Sequence, residues 1–182
     1  MKRFLVVIII IIFIIIAVII GSKAFNKRTN YINDIIPEEE ISDSQLRKTI
    51  LTLYFKNGNI LVPEARHMDV KELINDPYYI IIKQLIDGPK NSNLEKTIPE
   101  GTTINSITKT DDNLIIDFSK EFIENHKGGE IEERLTIDSI VNTVTELTEI
   151  NGVKILIEGE ENKGYKDGYI DFSSIFKRIE NE

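Results

Sequence analysis

Apolar and polar positions divide the chain into three unequal stretches. From Phe4 to Ile20, seventeen consecutive residues carry no charge and no polar side chain. As a helix this run would rise about 26 Å at ~1.5 Å per residue, close to the roughly 30 Å of bilayer hydrocarbon. Residues 1–24 are therefore expected to form a single N-terminal transmembrane anchor, embedded through residues 4–20. Residues 25–46 hold no sustained apolar period and include Pro37 followed by Glu38, Glu39 and Glu40, which reads as a solvated linker. Periodic patterning runs from 47 to 178, about the length of one domain.

Within that domain the period changes several times. Thr49 to Lys56 alternates Ile50, Thr52 and Tyr54 against Leu51, Leu53 and Phe55, then meets Asn57-Gly58-Asn59, the pattern of a strand entering a hairpin turn. Ile60 to Met68 continues as a second strand in which Pro63, lacking an amide hydrogen, demands an edge position. Asp76-Pro77 supplies a cap and a first-turn proline for a helix whose apolar face is Tyr78, Ile81, Ile82 and Leu85, and Gly88-Pro89 stops it. Thr102–Thr110 and Leu114–Ser119 form a second alternating pair around Asp111-Asp112-Asn113. From Glu132 to Leu147 the spacing of Leu135, Ile137, Ile140, Val141, Val144 and Leu147 predicts a second helix. Val153–Ile157 and Gly168–Phe172 follow as strands. The order ββαββαββ predicts a two-layer α+β domain with a mostly antiparallel sheet and two main helices.

Charge sharpens the reading of the first stretch. Lys2 and Arg3 precede the apolar run, while Lys23, Lys27 and Arg28 follow it, so charge alone divides evenly between the two orientations. A short tail held inside and a long domain carried across is the expected arrangement, which makes the domain extracytoplasmic. The run exceeds the usual signal-peptide core of about 7 to 15 residues, and Ser22 with Ala24 is the one small-residue pair resembling a cleavage site. The chain has no Cys, which excludes both a lipid-modified cysteine and disulfides. Beyond Arg28, seventeen Lys and Arg face thirty Asp and Glu. That acidic balance argues against nucleic acid as a partner, because phosphate binding needs clustered positive charge.

Several stretches together resemble the GerMN domain family of sporulation and spore germination proteins. They are Leu53-Tyr54-Phe55, Leu61-Val62-Pro63-Glu64-Ala65-Arg66, Gln84-Leu85-Ile86-Asp87-Gly88-Pro89 and Ile98-Pro99-Glu100-Gly101-Thr102. Later come Ile115-Ile116-Asp117-Phe118-Ser119, the run Ile140–Leu147, and Gly152-Val153 leading to Ile157-Glu158-Gly159. The resemblance implies a non-enzymatic extracytoplasmic domain, related to ring-building modules, that acts as an adaptor in envelope assemblies. In sporulating species one such member supports the channel between mother cell and forespore. Other envelope proteins are the implied partners, with a homo-oligomer as a further possibility. This chain carries one module where that member has two, and its apolar helix has no lipobox cysteine.

Candidate chemistry is sparse. Glu64 and Arg66 are two apart on a strand and so share a face, which makes them the candidate partner-binding residues; a surface ion pair worth ~0 to 1 kcal/mol is the competing reading. His67 and His126 are the only histidines, with no ligand-spaced neighbour, so no metal site and no cofactor is expected. The acidic turn Glu158–Asn162 lacks the alternating oxygen ligands of a calcium loop. Ser139 and Thr143 lie in a helix without an adjacent base, no carboxylate pair stands out, and Trp is absent. No catalytic residue is assigned. Two other functions fit the same chain: a regulator of a membrane sensor kinase, and a cell-wall protein that binds or hydrolyses glycan.

Overall fold

The computed structural model describes residues 47–179; the expected anchor (1–24) and linker (25–46) lie outside the described residues. Strands β1 (Lys48–Asn57) and β2 (Ile60–Asp69) pair antiparallel with an unbroken register. Gly58, at φ +61°, takes the first central position of the two-residue connection, the backbone demanded by a type II′ hairpin turn. A one-turn helix α1 (Val70–Leu73), capped by the Asp69 carboxylate on the Lys71 amide, leads to α2 (Pro77–Asp87). The Asp76 side chain accepts the Tyr79 amide, and Gly88 ends α2 at φ +95° with its amide donating to the Leu85 carbonyl. Both ends of α2 are as the sequence predicts, because both signals are local.

Strands β3 (Ile104–Thr110) and β4 (Asn113–Phe118) form the second antiparallel hairpin, with Asp111 at φ +52° in the turn. A short helix α3 (Glu121–Glu124) and the main helix α4 (Glu130–Val144) then carry the chain over to β5 (Gly152–Ile157), which lies parallel to β4. Parallel neighbours need a long crossover, and the segment carrying α3 and α4 supplies it. The fold is α+β, as expected, but its strands make two sheets, β1-β2 and the mixed β3-β4-β5, in place of a single mostly antiparallel one. The expected last strand at Gly168–Phe172 is absent as a strand. Gly168 turns at φ +75°, and the segment makes only an isolated bridge between Gly164 and Asp171.

Of that segment only Phe172 enters the core, joined there by Tyr165 from the turn before it, while Gly168, Tyr169 and Asp171 are exposed. Phe172 is fully buried and Tyr165 nearly so, and their rings lie 5.9 Å and 5.6 Å from Phe122, which stacks on Phe118 at 4.5 Å. Leu53 and Phe55 from β1, Ile82 and Leu85 from α2, Leu114 and Ile116 from β4, and Ile140 from α4 complete one continuous apolar cluster. Burying each such side chain contributes about 1.5–3 kcal/mol. Helix α4 starts two residues earlier and ends three earlier than the apolar stripe alone predicts. At its end the Thr145 amide and hydroxyl both donate to the Val141 carbonyl, the hydroxyl at 2.8 Å.

Candidate partner-binding site

Glu64 and Arg66 do share a face of β2, and that face is the inner one. Arg66 is 4% exposed. Its Nε donates to Glu64 Oε1 at 2.6 Å, one terminal nitrogen to Gln84 Oε1 at 2.8 Å, and the other to the Gly88 carbonyl at 2.6 Å. The guanidinium also sits 5.7 Å from the centre of the Phe55 ring. Glu64 in turn accepts the Lys90 and Asn91 amides. Burial alone pushes its carboxyl up, but the Asn91 and Lys90 amides and Arg66 outweigh that and hold it below the ordinary carboxylate value. The pair fastens the C-terminal end of α2 and the following turn to β2, and its polar groups are directed into the chain.

A second ionic cluster went unread in the sequence. Lys56 is buried on β1, with its ammonium 2.8 Å from Glu132 and 3.3 Å from Glu95. It flanks a cavity of about 360 Å³ whose lining includes Glu95, Pro99, Asn125, His126, Glu132 and Thr136. His126 Nε2 lies 3.0 Å from Thr136 Oγ1, a spacing that invites comparison with a nucleophile and its base. The hydrogen bonds oppose that role. Nδ1 accepts the Gly128 amide, so the proton resides on Nε2, and the Thr136 hydroxyl donates to the Thr97 or Glu132 carbonyl. Burial lowers the His126 pKa and keeps the ring neutral. His67, by contrast, is exposed on β2, so the two histidines are not brought together.

The remaining candidates are also spoken for. Ser139 donates within the buried Thr97–Thr136 group, and Thr143 Oγ1 accepts the Tyr54 amide. In the acidic turn, Glu158 accepts the Lys120 amide while Glu160 and Glu161 face Lys163 and Lys154. Among the described residues no three His, Asp or Glu side chains converge as metal ligands. Glu133 is fully buried; Oε2 accepts the Ile170 amide, and among the described residues neither Oε1 nor the nearby Tyr165 hydroxyl has a partner. Its burial was legible in principle, because Glu133 falls on the stripe of Ile137, Ile140 and Val144 at helical spacing.

Backbone edges complete the surface. The Lys56 amide and carbonyl bond Glu95, and the Tyr54 amide bonds Thr143, so β1 turns its even-numbered backbone groups away from β2. By register, Leu61, Pro63, Ala65, His67 and the terminal Asp69 are the β2 residues whose backbone groups point outward. The missing donor of Pro63 therefore faces the open edge and costs the ladder nothing.

A family model, Germane, described as "Sporulation and spore germination", matches residues 52–163. No curated protein matches. Among solved structures, the tandem GerMN domains of the sporulation protein GerM from Bacillus subtilis superpose with a TM-score of 0.60 at 22% identity, covering 78% of this chain and 50% of that one. The chain thus spans about half the length of that protein. The first GerMN domain of the same protein gives 0.59 at 23% identity, covering 71% and 98%. A candidate lipoprotein from Clostridium perfringens gives 0.50 at 27% identity, covering 75% and 92%. With more than half of its length inside the family model, this chain belongs to the Germane family of sporulation and spore germination domains.

Proposed function

We propose that this chain is a membrane-anchored adaptor whose Germane domain stands outside the cytoplasm and binds other envelope proteins in a sporulation or germination assembly, without catalysing a reaction. The observation that carries the reading is one of arrangement: the family match begins at residue 52, downstream of an uninterrupted apolar run at 4–20. A membrane segment followed by a polar linker and a single folded domain suits a tethered recognition head. The burial and internal pairing of Arg66, Lys56 and His126 supports the same reading, because these groups hold the fold together.

The test is made on the full chain in its native membrane. A C-terminal reporter active only beyond the membrane is expected to be active, and crosslinking during spore formation is expected to join the domain to envelope proteins. A reporter active in the cytosol, or a domain that turns over muropeptides while joining no protein, would overturn the proposal.

A further inference from the structure

Among the described residues the two sheets have four edges, of which two are covered and a third is bulged and charged. The outer edge of β1 is occupied by Glu95 and Thr143, and that of β5 by Phe176, whose amide and carbonyl each bond Val153 at 2.8 Å. The free edge of β3 is interrupted by a register shift between Ile104 and Ser106 and carries Lys109, two devices that discourage strand pairing. The edge of β2 has no cover among the described residues, and Pro63 is the device that limits pairing on it. This edge is ten residues long with an unbroken register, and among its outward positions Leu61, Pro63, Ala65, His67 and Asp69 the one charge is that of Asp69 at the strand's end, where the carboxylate caps α1. Pro63, Ala65 and His67 are exposed, and Ile50, opposite His67, is 59% exposed. The outward amides of Leu61, Ala65 and His67 have no partner among the described residues.

We infer that this edge receives an extended, basic segment of a partner protein as an added strand, an assignment that rests on the adaptor reading. A second copy of the chain fits the edge less well, for two reasons. Pro63 withholds a donor, so pairing two β2 strands loses a hydrogen bond from each side, whereas a partner strand meets the gap only once. Between residues 47 and 179 the domain holds seventeen Lys and Arg against twenty-three Asp and Glu, which repels a copy of itself and attracts a positively charged segment. Affinity comes from the main-chain bonds at Leu61, Ala65 and His67, and the register is fixed by the position that asks for no acceptor, opposite Pro63.

The test uses the full chain in detergent and a ten-residue peptide alternating Lys and Thr, with a Glu–Thr peptide of the same length as its counterpart. The Lys–Thr peptide is expected to slow hydrogen exchange at Leu61, Ala65 and His67 and to bind at least about tenfold more tightly than the Glu–Thr peptide. Ala65→Pro deletes an outward donor while sparing the bonds to β1, and should weaken binding about tenfold or more; Ala65→Ser should leave it unchanged. Unaltered exchange at Leu53 and Phe55 verifies that each variant is folded. Three results would overturn the assignment: equal binding of the two peptides, Ala65→Pro binding like the parent, or slow exchange of the three outward amides in the free chain, which would mean its own N-terminal segment already covers the edge. If the assignment fails while envelope crosslinks persist, the adaptor reading stands without it.

Discussion

Replacing Arg66 with methionine keeps much of the side-chain volume and removes every donor of the guanidinium. Three hydrogen bonds vanish, to Glu64, Gln84 and the Gly88 carbonyl. Glu64, whose side chain is 11% exposed, keeps the Lys90 and Asn91 amides but loses its counter-charge. Hydrogen bonds to charged groups contribute about 1.5–3 kcal/mol each, while breaking one partner out of a buried ion pair costs about 3–5 kcal/mol in total. The second figure is the better guide, because water entering beside α2 recovers part of each lost bond. For a domain of this size the loss corresponds to a fall in melting temperature on the order of 10 to 20 °C.

The measurement is urea unfolding of the full chain in detergent, followed by circular dichroism at neutral and acid pH. Against the opposing effect of burial, the Glu64 carboxyl titrates lower in the folded chain than in the unfolded one, held down by the Asn91 and Lys90 amides and Arg66. Its contribution is therefore complete above the ordinary value and lost as pH falls through the folded one. Arg66→Met should accordingly flatten the acid limb of the parent's stability profile as well as lower it. A loss below about 1 kcal/mol at neutral pH would refute the reasoning, since that is the range of an exposed pair.

Three further outcomes follow from the same structure. Glu133→Gln should leave stability unchanged or raise it by on the order of 1 kcal/mol at neutral pH. Burial raises the Glu133 pKa, so its charged form costs stability as pH rises from the unfolded value through the folded one, and the gain should disappear in acid; a gain that persists in acid would count against this. Arg178→Ala removes an ion pair to Glu146 that is more than a third exposed at both ends and should cost about 0–1 kcal/mol; a larger loss by thermal unfolding would show that the contact between Arg178 and Tyr54 matters more than its exposure implies. Gly152→Ala places a methyl 2.5 Å from Asn113 Oδ1 and 2.7 Å from an Ile175 methyl, which should cost about 1–3 kcal/mol and quicken amide exchange at Val153; unchanged exchange there would refute the crowding.

What the sequence disclosed depended on how far each signal reaches. Asp76-Pro77 and Gly88 bound α2 through contacts within one turn, so the helix was legible to the residue. The parallel β4-β5 pair, and the burial of Tyr165 and Phe172 beside Phe122, depend on where a crossover lands, which no local pattern encodes. Glu64 and Arg66 lie between these cases. Alternation correctly puts them on one face, but their charge by itself points that face toward solvent. The turn contained the missing constraint. A two-residue connection at Gly58-Asn59 pairs Asn57 with Ile60, and counting back from there sets Glu64 opposite Leu53 and Arg66 opposite Leu51. Leu51, Leu53 and Phe55 are the apolar side of β1, so the hairpin register alone requires the two charges to point inward and to find partners there. An Arg on a core face has to meet a carboxylate and carbonyls, and the Gly88 turn, ending a helix with free carbonyls, is a place in this chain that offers one.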